Sequence, residues 1–184
     1  MRFREGKIVE KFTAKNDKEI VFRFPKMSDS LQLMKYFNKV MKETDFLAHF
    51  RKVSLKKERE WLKNVINEMK RNEKIYLIVE SNGKIVGSGE VRREKSDAEK
   101  HIGVFGIALL QEFTRLGIGT RLAKLLFKMA KNIGIEVIRS SYYSNNNASK
   151  RLHEKLGFKV IGRFPKARKR GNKYTDAIMV YKIL

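Results

Sequence analysis

The sequence predicts an α/β (α+β) protein with a mixed, mostly antiparallel central sheet and helices on both faces of that sheet. Short apolar segments at strand spacing alternate with segments whose apolar residues recur every three or four positions. The order strand, loop, helix, strand over residues 102–142 requires one parallel pair joined by a right-handed crossover. A chain of 184 residues suits a single domain, which we expect to span residues 1–184.

The first part of the chain is predicted to form two strands and two helices. The strands cover 8–12 and 20–24, and Asn16-Asp17 is the turn signal between them. Ser28, Asp29 and Ser30 are N-cap residues for the first helix. Its apolar face consists of Leu31, Met34, Phe37 and Met41. The second helix starts at Ser54, and its buried stripe consists of Leu55, Leu62, Val65, Ile66 and Met69.

The middle of the chain is predicted to form three further strands and a helix. Asn82-Gly83 is a strong hairpin signal between strands at 75–79 and 85–91. A strand at about 102–110 leads into a glycine-containing loop, and the following helix ends at Gly134 as a C′ residue. The inward face of this helix consists of Leu122, Leu125, Leu126 and Met129.

The C-terminal part is predicted to form a strand, a short helix and a final hairpin. The strand covers 135–142, and the helix carries Ala148, Leu152 and Leu156 on one face. Gly157 ends this helix, so that Phe158 can pack back onto it. Two strands then surround Gly171-Asn172.

Composition excludes several classes of protein. The chain has no cysteine, which excludes a disulfide framework, a thiol nucleophile and thiolate metal ligands, and we predict no metal site. The longest uninterrupted run of apolar residues and glycine, 102–110, is far shorter than the roughly 20 residues that span a bilayer. The first residues lack the apolar core of a signal peptide. We therefore expect a cytoplasmic protein without a membrane partner.

The charge of the chain is strongly positive, with 42 Lys and Arg against 20 Asp and Glu, a net charge of +22. Such a charge favours polyanionic partners such as RNA or phosphates, but a lysine-rich solvated surface is an equally physical interpretation. Residues 163–173 alone hold six basic side chains. They could guide an acidic substrate or contact RNA, or they could form a solvated hairpin tip.

The loop at 113–120 reads F-T-R-L-G-I-G-T and lies between the strand at 102–110 and a helix. Backbone N–H groups at such a position, together with the helix N-terminus, can hold a phosphate. Glycine lets the backbone approach a ligand without an intervening Cβ atom. The loop is not a Walker motif, because no Gly-Lys-Ser/Thr follows, and it lacks the third glycine and the acidic residue of a dinucleotide fingerprint. By itself it is also compatible with an ordinary tight turn.

A second motif follows about 30 residues later, N-N-A-S-K-R-L-H-E-K-L-G-F at 146–158. The pair of motifs resembles the GCN5-related N-acetyltransferase (GNAT) family, in which Arg/Gln-x-x-Gly-x-Gly/Ala is followed by an Asn-containing helix that ends in Gly-Phe. The resemblance is specific over 104–158 and extends in element order over about 20–182. The L-H-E-K-L-G-F form at 152–158, with Gly171, Tyr174 and Asp176 near the end of the chain, resembles the small-amine and amino-acid acetyltransferases of the phosphinothricin type. The first motif position is Thr114 here, with Arg115 displaced by one residue.

The resemblance implies the GNAT fold, with acetyl-CoA as cofactor bound to a core at 104–158 and a sheet that splays at the parallel pair. The diphosphate would lie on the backbone of Leu116, Gly117, Ile118, Gly119 and Thr120. The pantetheine arm would pair like a strand with Ile107, Ala108 and Leu109. Asn146, Ser149 and His153 of the second motif would also line the cofactor, and Arg115 could reach its phosphates.

The resemblance implies direct attack of an amine in a ternary complex without an acyl-enzyme. Glu90 is the first choice for the general base, with Glu112 and His101 as alternatives. His153, at a position where the family often has a tyrosine, is the first candidate for the acid that protonates the leaving thiolate. Tyr142 and Tyr143 are alternatives, and one of them is expected to be part of the core.

The predicted function is therefore an acetyl-CoA-dependent N-acetyltransferase acting on a primary amine. The acceptor could be a small amine or amino acid, or a protein N-terminus or lysine, and the protein could be a monomer or a homodimer. Two other interpretations remain, a basic nucleic-acid-associated protein and a non-catalytic acyl-CoA-binding regulator. No RNA- or DNA-binding signature supports the first, and turnover separates the second from an enzyme.

Overall fold

The computed structural model describes residues 3–15, 17–47 and 51–184, and its strands form one mixed sheet in the order β1-β2-β3-β4-β5-β6-β8-β7. The predicted turn residue Asn16 lies outside the described residues. The strands are β1 (Ile8–Thr13), β2 (Glu19–Arg23), β3 (Lys74–Ser81), β4 (Lys84–Arg93), β5 (Ile102–Leu109), β6 (Val137–Tyr143), β7 (Lys159–Arg170) and β8 (Lys173–Ile183). The helices are α1 (Ser30–Glu43), α2 (Leu55–Lys70), α3 (Ile118–Asn132) and α4 (Asn147–Lys155).

Within this sheet, β5 and β6 form a parallel pair and the other neighbouring strands pair antiparallel. The α3 helix is the crossover between the two parallel strands, as the order of elements predicts. The predicted fold class is confirmed. None of the helices in the described parts of the chain is long and apolar enough to cross a membrane.

Helices cover both faces of the sheet. On one face, which we call the α1–α2 face, the Tyr36 hydroxyl of α1 donates to the Ala108 carbonyl at 2.8 Å, and Trp61 of α2 packs edge-on against Tyr76. On the other, the α3–α4 face, Leu122 and Leu126 of α3 lie over Gly89 of β4. A Cβ atom at Gly89 would be 2.9 Å from both leucine side chains, so this glycine allows α3 to approach the sheet.

The N-terminus of α1 differs from the sequence prediction. Asp29 occupies the N-cap position, but its side chain makes no capping bond to the helix. Its carboxylate instead accepts two hydrogen bonds from Arg23, at 2.7 Å from Nη1 and 3.0 Å from Nη2. Both side chains are buried, and an unpaired buried guanidinium would cost more than a missing cap. At α2 the prediction is confirmed, since Ser54 Oγ accepts from the Lys57 N–H.

The predicted turns and helix ends are also confirmed. Asn82 and Gly83 have φ angles of 49° and 70°, both positive, as a two-residue hairpin of type I′ requires. At the end of α4, Gly157 has a φ of 78° and its N–H donates to Glu154. The Phe158 N–H donates to the His153 carbonyl at 3.0 Å, which completes a Schellman motif. This turn fixes the Phe158 ring against His153.

Candidate active site

The sheet opens between β5 and β6. Their parallel register covers Ile102–Val104 of β5 and Val137–Arg139 of β6. Beyond it, β5 stays paired with β4 as far as Leu109, and β6 stays paired with β8 as far as Tyr143. We call the resulting opening the β5–β6 gap, with residues 105–109 and 140–143 as its edges.

The backbone of β5 presents polar groups to this gap. The Phe105 carbonyl accepts a hydrogen bond from Ser140 Oγ at 3.1 Å, so it points toward β6. The Leu110 N–H donates to Val86, so the backbone of the even-numbered positions points toward β4. Because strands alternate with a period of two, Ile107 and Leu109 share the orientation of Phe105. Of the three residues predicted to pair with pantetheine, Ile107 and Leu109 therefore direct backbone groups to the gap, whereas Ala108 directs its own toward β4.

The glycine loop lies at the end of β5, where the gap is open. Arg115 and Gly117 have φ angles of 62° and 83°, and Leu116 between them has no positive φ. This alternation turns successive N–H groups toward one side, an arrangement that forms anion-binding concavities. Gly117 is also the N-cap of α3, so the helix dipole adds partial positive charge at the same place. An arginine in the left-handed region costs energy, which often marks a functional backbone.

Gly119 is helical and needs no special backbone conformation. A Cβ atom there would meet Ile107 and Leu109 side chains at 3.5 and 3.7 Å, which are ordinary contacts. Packing within the protein therefore does not require glycine, although glycine in a helix is less stable than alanine by roughly 0.5–1 kcal/mol. Ile118 is fully buried, so it can offer only its backbone, and Thr120 follows in the same first turn.

The second motif forms the N-terminus of α4. Asn146 caps this helix, since its Oδ1 accepts from the Ser149 N–H at 3.0 Å, which leaves the amide NH₂ group for other contacts. The Ser149 carbonyl in turn faces the His153 ring. Thr114 at the first motif position donates its hydroxyl to the Gln111 carbonyl at 2.8 Å and so stabilises the turn before the loop. Arg115 is exposed.

His153 is buried where β5, β6 and α4 meet. Its Nδ1 lies 2.8 Å from the Ser149 carbonyl and 3.3 Å from the Ser149 hydroxyl. Because the carbonyl can only accept, the shorter contact assigns a proton to Nδ1. Its Nε2 lies 3.0 Å from Ser140 Oγ. Burial lowers the pKa of His153, and the Ser149 carbonyl opposes this shift. The imidazole is therefore neutral near pH 7 with a lone pair on Nε2, and it must first gain a proton before it can act as an acid.

The two tyrosines at the end of β6 lie on opposite faces of the sheet. Tyr142 is buried on the α3–α4 face with its ring 5.3 Å from that of His153, and it is the core residue of the pair. Burial raises the pKa of Tyr142, and the nearby Glu154 carboxylate adds to the rise, so it stays protonated. Tyr143 lies on the α1–α2 face, where the Arg168 guanidinium stacks over its ring at 5.0 Å.

The three candidate bases lie at different places. Glu90 of β4 is on the α1–α2 face beside Gly106, and its carboxylate is 3.2 Å from Lys74 Nζ. Glu112 is exposed and paired with Lys39 at 3.0 Å, and this ion pair lowers the pKa of Glu112, which weakens it as a base. His101 precedes β5 at the closed end of the strand pair, about 26 Å along the strand from Leu109 at roughly 3.3 Å per residue. The structure therefore does not bring His101 to the gap.

A carboxyl that the sequence analysis did not select lies on the same face as Glu90. Glu58 of α2 is only 6% exposed, and burial raises its pKa to about 7. Its charge and that of Glu90 both act on Tyr76. The sequence signal was present, because Glu58 continues the buried stripe of α2 at the spacing 58, 62, 65, 69. A carboxyl that ionises near pH 7 is suited to accept a proton from an ammonium group.

The described residues contain no group of three or more His, Cys, Asp or Glu side chains that could hold a metal ion. The site thus consists of the backbone of residues 116–120 at the N-terminus of α3, which we call the cradle, the β5–β6 gap, and titratable groups on both faces of the sheet beside that gap.

Comparisons with known proteins agree with this geometry. Residues 37–158 match the model of the acetyltransferase (GNAT) family. The chain is 28% identical over 144 residues to the SPbeta prophage-derived uncharacterized N-acetyltransferase YokL of Bacillus subtilis, covering 77% of this chain and 76% of YokL.

Solved structures share the fold. An acetyltransferase of the GNAT family from Streptococcus pneumoniae superposes with a TM-score of 0.81 at 22% identity, covering 90% of this chain and 99% of that one. The protein yncA from Salmonella typhimurium, whose structure holds its cofactor acetyl-CoA, superposes with a TM-score of 0.78 at 22% identity. The superposition covers 90% of this chain and 94% of yncA. The chain therefore belongs to the acetyltransferase (GNAT) family, whose acyltransferases use acetyl-CoA as the acetyl donor.

Proposed function

We propose that this protein transfers the acetyl group of acetyl-CoA to a primary amine by direct attack in a ternary complex. The observation that carries the proposal is the coincidence of the β5–β6 gap with the Gly117–Gly119 cradle at the N-terminus of α3. A pantetheine arm needs an open strand edge, and a diphosphate needs clustered N–H donors, and the two features lie next to each other.

The residues of the site fit acetyl-CoA. The cradle offers backbone donors from Leu116 to Thr120, and no packing contact within the protein requires glycine at position 119. Ile107 and Leu109 would hold the amide groups of the pantetheine arm through their backbone. When bound, acetyl-CoA supplies an activated acetyl thioester. Among the other predicted contacts, Asn146 and Ser149 lie at the N-terminus of α4, and Arg115 is free to approach a phosphate.

The acceptor would approach on the α1–α2 face. Gly106 and Ala108 of β5 form the floor of this approach, with Glu90 and Ser88 beside them on β4. A protonated amine must lose a proton before it can attack, and Glu90 and Glu58 are the carboxyls of this face that can take it. Glu90 remains our principal assignment for the general base.

The β7–β8 hairpin gives the acceptor side a positive charge. Arg170 at its end forms an ion pair with Asp45 beyond α1, so the hairpin contacts the segment that follows α1. Arg168 of the same hairpin lies over the ring of Tyr143 on the α1–α2 face. A basic rim favours an amine carried by a neutral or acidic molecule, such as an amino acid or an acidic peptide, and disfavours polycations.

The first experiment is calorimetric titration of acetyl-CoA into the purified protein and into Gly117→Glu. The matched control is Gly134→Glu, because Gly134 has nearly the same φ, 81°, and open space around it, but lies at the opposite end of α3. We expect saturable binding by the wild type and the Gly134 variant, and loss of binding by the Gly117 variant. No binding by the wild type would refute the proposal, and RNA binding at several salt concentrations would then be tested.

A panel of amine acceptors with detection of released coenzyme A is the second experiment. We expect turnover with at least one neutral or acidic primary amine. Saturable acetyl-CoA binding without turnover across small amines, amino acids and peptides would instead indicate an acyl-CoA-binding regulator.

A further inference from the structure

We propose that the hydroxyl of Ser140 is a catalytic group that carries a proton from the attacking amine nitrogen to the leaving sulfur, with His153 behind it as the temporary proton store. This inference rests on the proposed function. It assigns a role to Ser140, which no sequence motif marks, and it replaces the simple acid role of His153.

The position of Ser140 supports the first part of the inference. It follows Arg139, the last β6 residue in parallel register with β5, so it stands where the two strands begin to part. Its Oγ contacts the Phe105 carbonyl at 3.1 Å and His153 Nε2 at 3.0 Å. The strand edge beyond Phe105 carries Ile107 and Leu109, which would hold the pantetheine arm. A thioester at the end of that arm would therefore lie toward Ser140.

The count of hydrogen atoms supports the second part. Three contacts form a chain: Ser149 carbonyl to His153 Nδ1, His153 Nε2 to Ser140 Oγ, and Ser140 Oγ to the Phe105 carbonyl. The Ser149 hydroxyl, 3.3 Å from the same Nδ1, carries its own hydrogen and does not change the count along this chain. Both carbonyls can only accept. With a neutral imidazole, the single Ser140 hydrogen can serve either Nε2 or the Phe105 carbonyl, but not both. With a protonated imidazole, each contact has one hydrogen.

With a neutral His153 ring, the chain of contacts lacks one hydrogen. His153 can therefore accept a proton that reaches it through Ser140. Burial opposes permanent protonation. The rings that face the imidazole are those of Phe105 on β5, Tyr142 on β6 and Phe158 after α4. Tyr142 stays neutral, and the carboxylate of Glu154, which acts on Tyr142, is largely exposed. In such an environment the positive charge of a protonated His153 is short-lived rather than stable.

The proton balance closes without an added reactant. As the C–N bond forms, Ser140 takes a proton from the amine nitrogen and gives its own to His153 Nε2. As the C–S bond breaks, its electron pair stays on sulfur, Ser140 gives a proton to sulfur, and His153 returns one to Ser140. The ammonium proton lost before attack goes to a carboxyl of the α1–α2 face, so the two proton transfers use different groups.

The test compares Ser140→Ala with Ser140→Thr, which keeps the hydroxyl, and with Ser96→Ala, whose side chain is exposed in the connection between β4 and β5 and makes no capping bond. We expect kcat of the Ser140→Ala variant to fall by about 100-fold, within the range of lost acid–base catalysis. Ser140→Thr should recover most of this loss, and Ser96→Ala should match the wild type. Calorimetry should show acetyl-CoA affinity within about threefold for all of them, because a relay residue is not required for binding.

Nitrogen-15 NMR of His153 provides a readout that a structural role would not move. We expect the wild type to carry its proton on Nδ1 near pH 7, and the pH at which His153 titrates to coincide with the acidic limb of the kcat profile. Ser140→Ala should change the Nε2 signal and remove that limb. A wild-type proton on Nε2, or equal kcat for the two alanine variants, would overturn the relay alone. Absence of acetyl-CoA binding by the wild type would overturn the proposed function and the relay together.

Discussion

The ammonium group of Lys74 lies 3.2 Å from the carboxylate of Glu90 and is itself only 7% exposed. On its other side the same ammonium lies 3.1 Å from Glu68 of α2. Lys74 therefore fixes the orientation of Glu90 on the α1–α2 face, and it ties β3 and β4 to α2. A buried cation between two carboxylates is destabilised when one of them is removed.

Glu90→Gln and Glu68→Gln should separate the catalytic and the structural role of this ion pair. Each removes one partner of Lys74, so each should lower the free energy of unfolding by about 1–3 kcal/mol. The first should also lower kcat by about 100-fold, because it removes the proposed base. The second should keep kcat. Urea denaturation and initial-rate kinetics measure the two effects, and equal kcat for both variants would make Glu90 a structural residue only.

Gly119→Ala should change stability and cofactor affinity in opposite directions. In the ligand-free protein the new Cβ makes only ordinary contacts, with Ile107 at 3.5 Å as the nearest. The helix should therefore gain stability, by up to about 1 kcal/mol. The same methyl group would intrude on the diphosphate, and we expect acetyl-CoA to bind at least about tenfold more weakly. Thermal unfolding measures the expected gain in stability, and calorimetry measures the expected loss of acetyl-CoA affinity.

Gly117→Ala provides the complementary control. Its φ of 83° is unfavourable for alanine, while no atom lies within 4 Å of the added Cβ. We expect a loss of about 1–2 kcal/mol in stability from the left-handed backbone. A stable, tightly binding Gly119→Ala protein would argue that the cradle does not hold a diphosphate.

The protein should become less stable as the pH rises, because of Glu58. The folded-state pKa of about 7 lies above the ordinary value of 4.5, so between these values the folded state binds the proton that the unfolded state has lost. The free energy of unfolding thus falls as the pH rises from 4.5 to 7, by up to about 3 kcal/mol, and stays low above 7. Glu58→Gln should remove this fall and be more stable than the wild type at pH 8.

Urea denaturation at pH 5 and pH 8 measures the effect. Glu60→Gln is the matched control, since Glu60 lies in the same helix but is exposed. If the two glutamine variants respond alike to pH, Glu58 is not the group responsible.

The sequence predicted the sheet, its parallel pair and the helix ends because those features depend on local signals. Asn82-Gly83, Gly134 and Gly157 each adopt the positive φ that their turn requires. The N-cap position of Asp29 was predictable, but the contacts of its side chain were not, because Arg23 at the end of β2 and the Lys26 N–H donate to the carboxylate. Competition of this kind depends on tertiary contacts that no local pattern contains.

Some features of the candidate site were likewise predictable from the sequence, and others were not. The cofactor loop was predictable because glycines at a strand-to-helix junction have few structural uses. The neutral tautomer of His153 and the role of Ser140 were not, because both depend on distances across β5, β6 and α4. Similarly, the sequence does not distinguish Tyr142 from Tyr143. They lie on opposite faces of the sheet because side chains alternate along β6, and only the structure shows which face each one occupies.

Gly89 and Gly106 face opposite sides of the sheet, and their alanine variants should separate packing from access. In Gly89→Ala the Cβ would lie 2.9 Å from Leu122 and Leu126, so α3 must shift or the leucines must change rotamer. We expect a destabilisation of about 1–3 kcal/mol, typical of an overpacked core. Because α3 carries the cradle at its N-terminus, acetyl-CoA affinity should fall as well. Chemical denaturation and calorimetry measure both.

Gly106→Ala should behave in the opposite way. No atom lies within 4 Å of a Cβ at Gly106, so the fold should tolerate alanine, and a strand residue should even gain stability over glycine. The new methyl group would project from the floor of the α1–α2 face beside Glu90, where the acceptor would approach. We expect a raised KM for the amine with little change in acetyl-CoA affinity. An unchanged KM for every accepted amine would place the acceptor elsewhere, because a methyl group on the floor of an occupied site must meet the ligand.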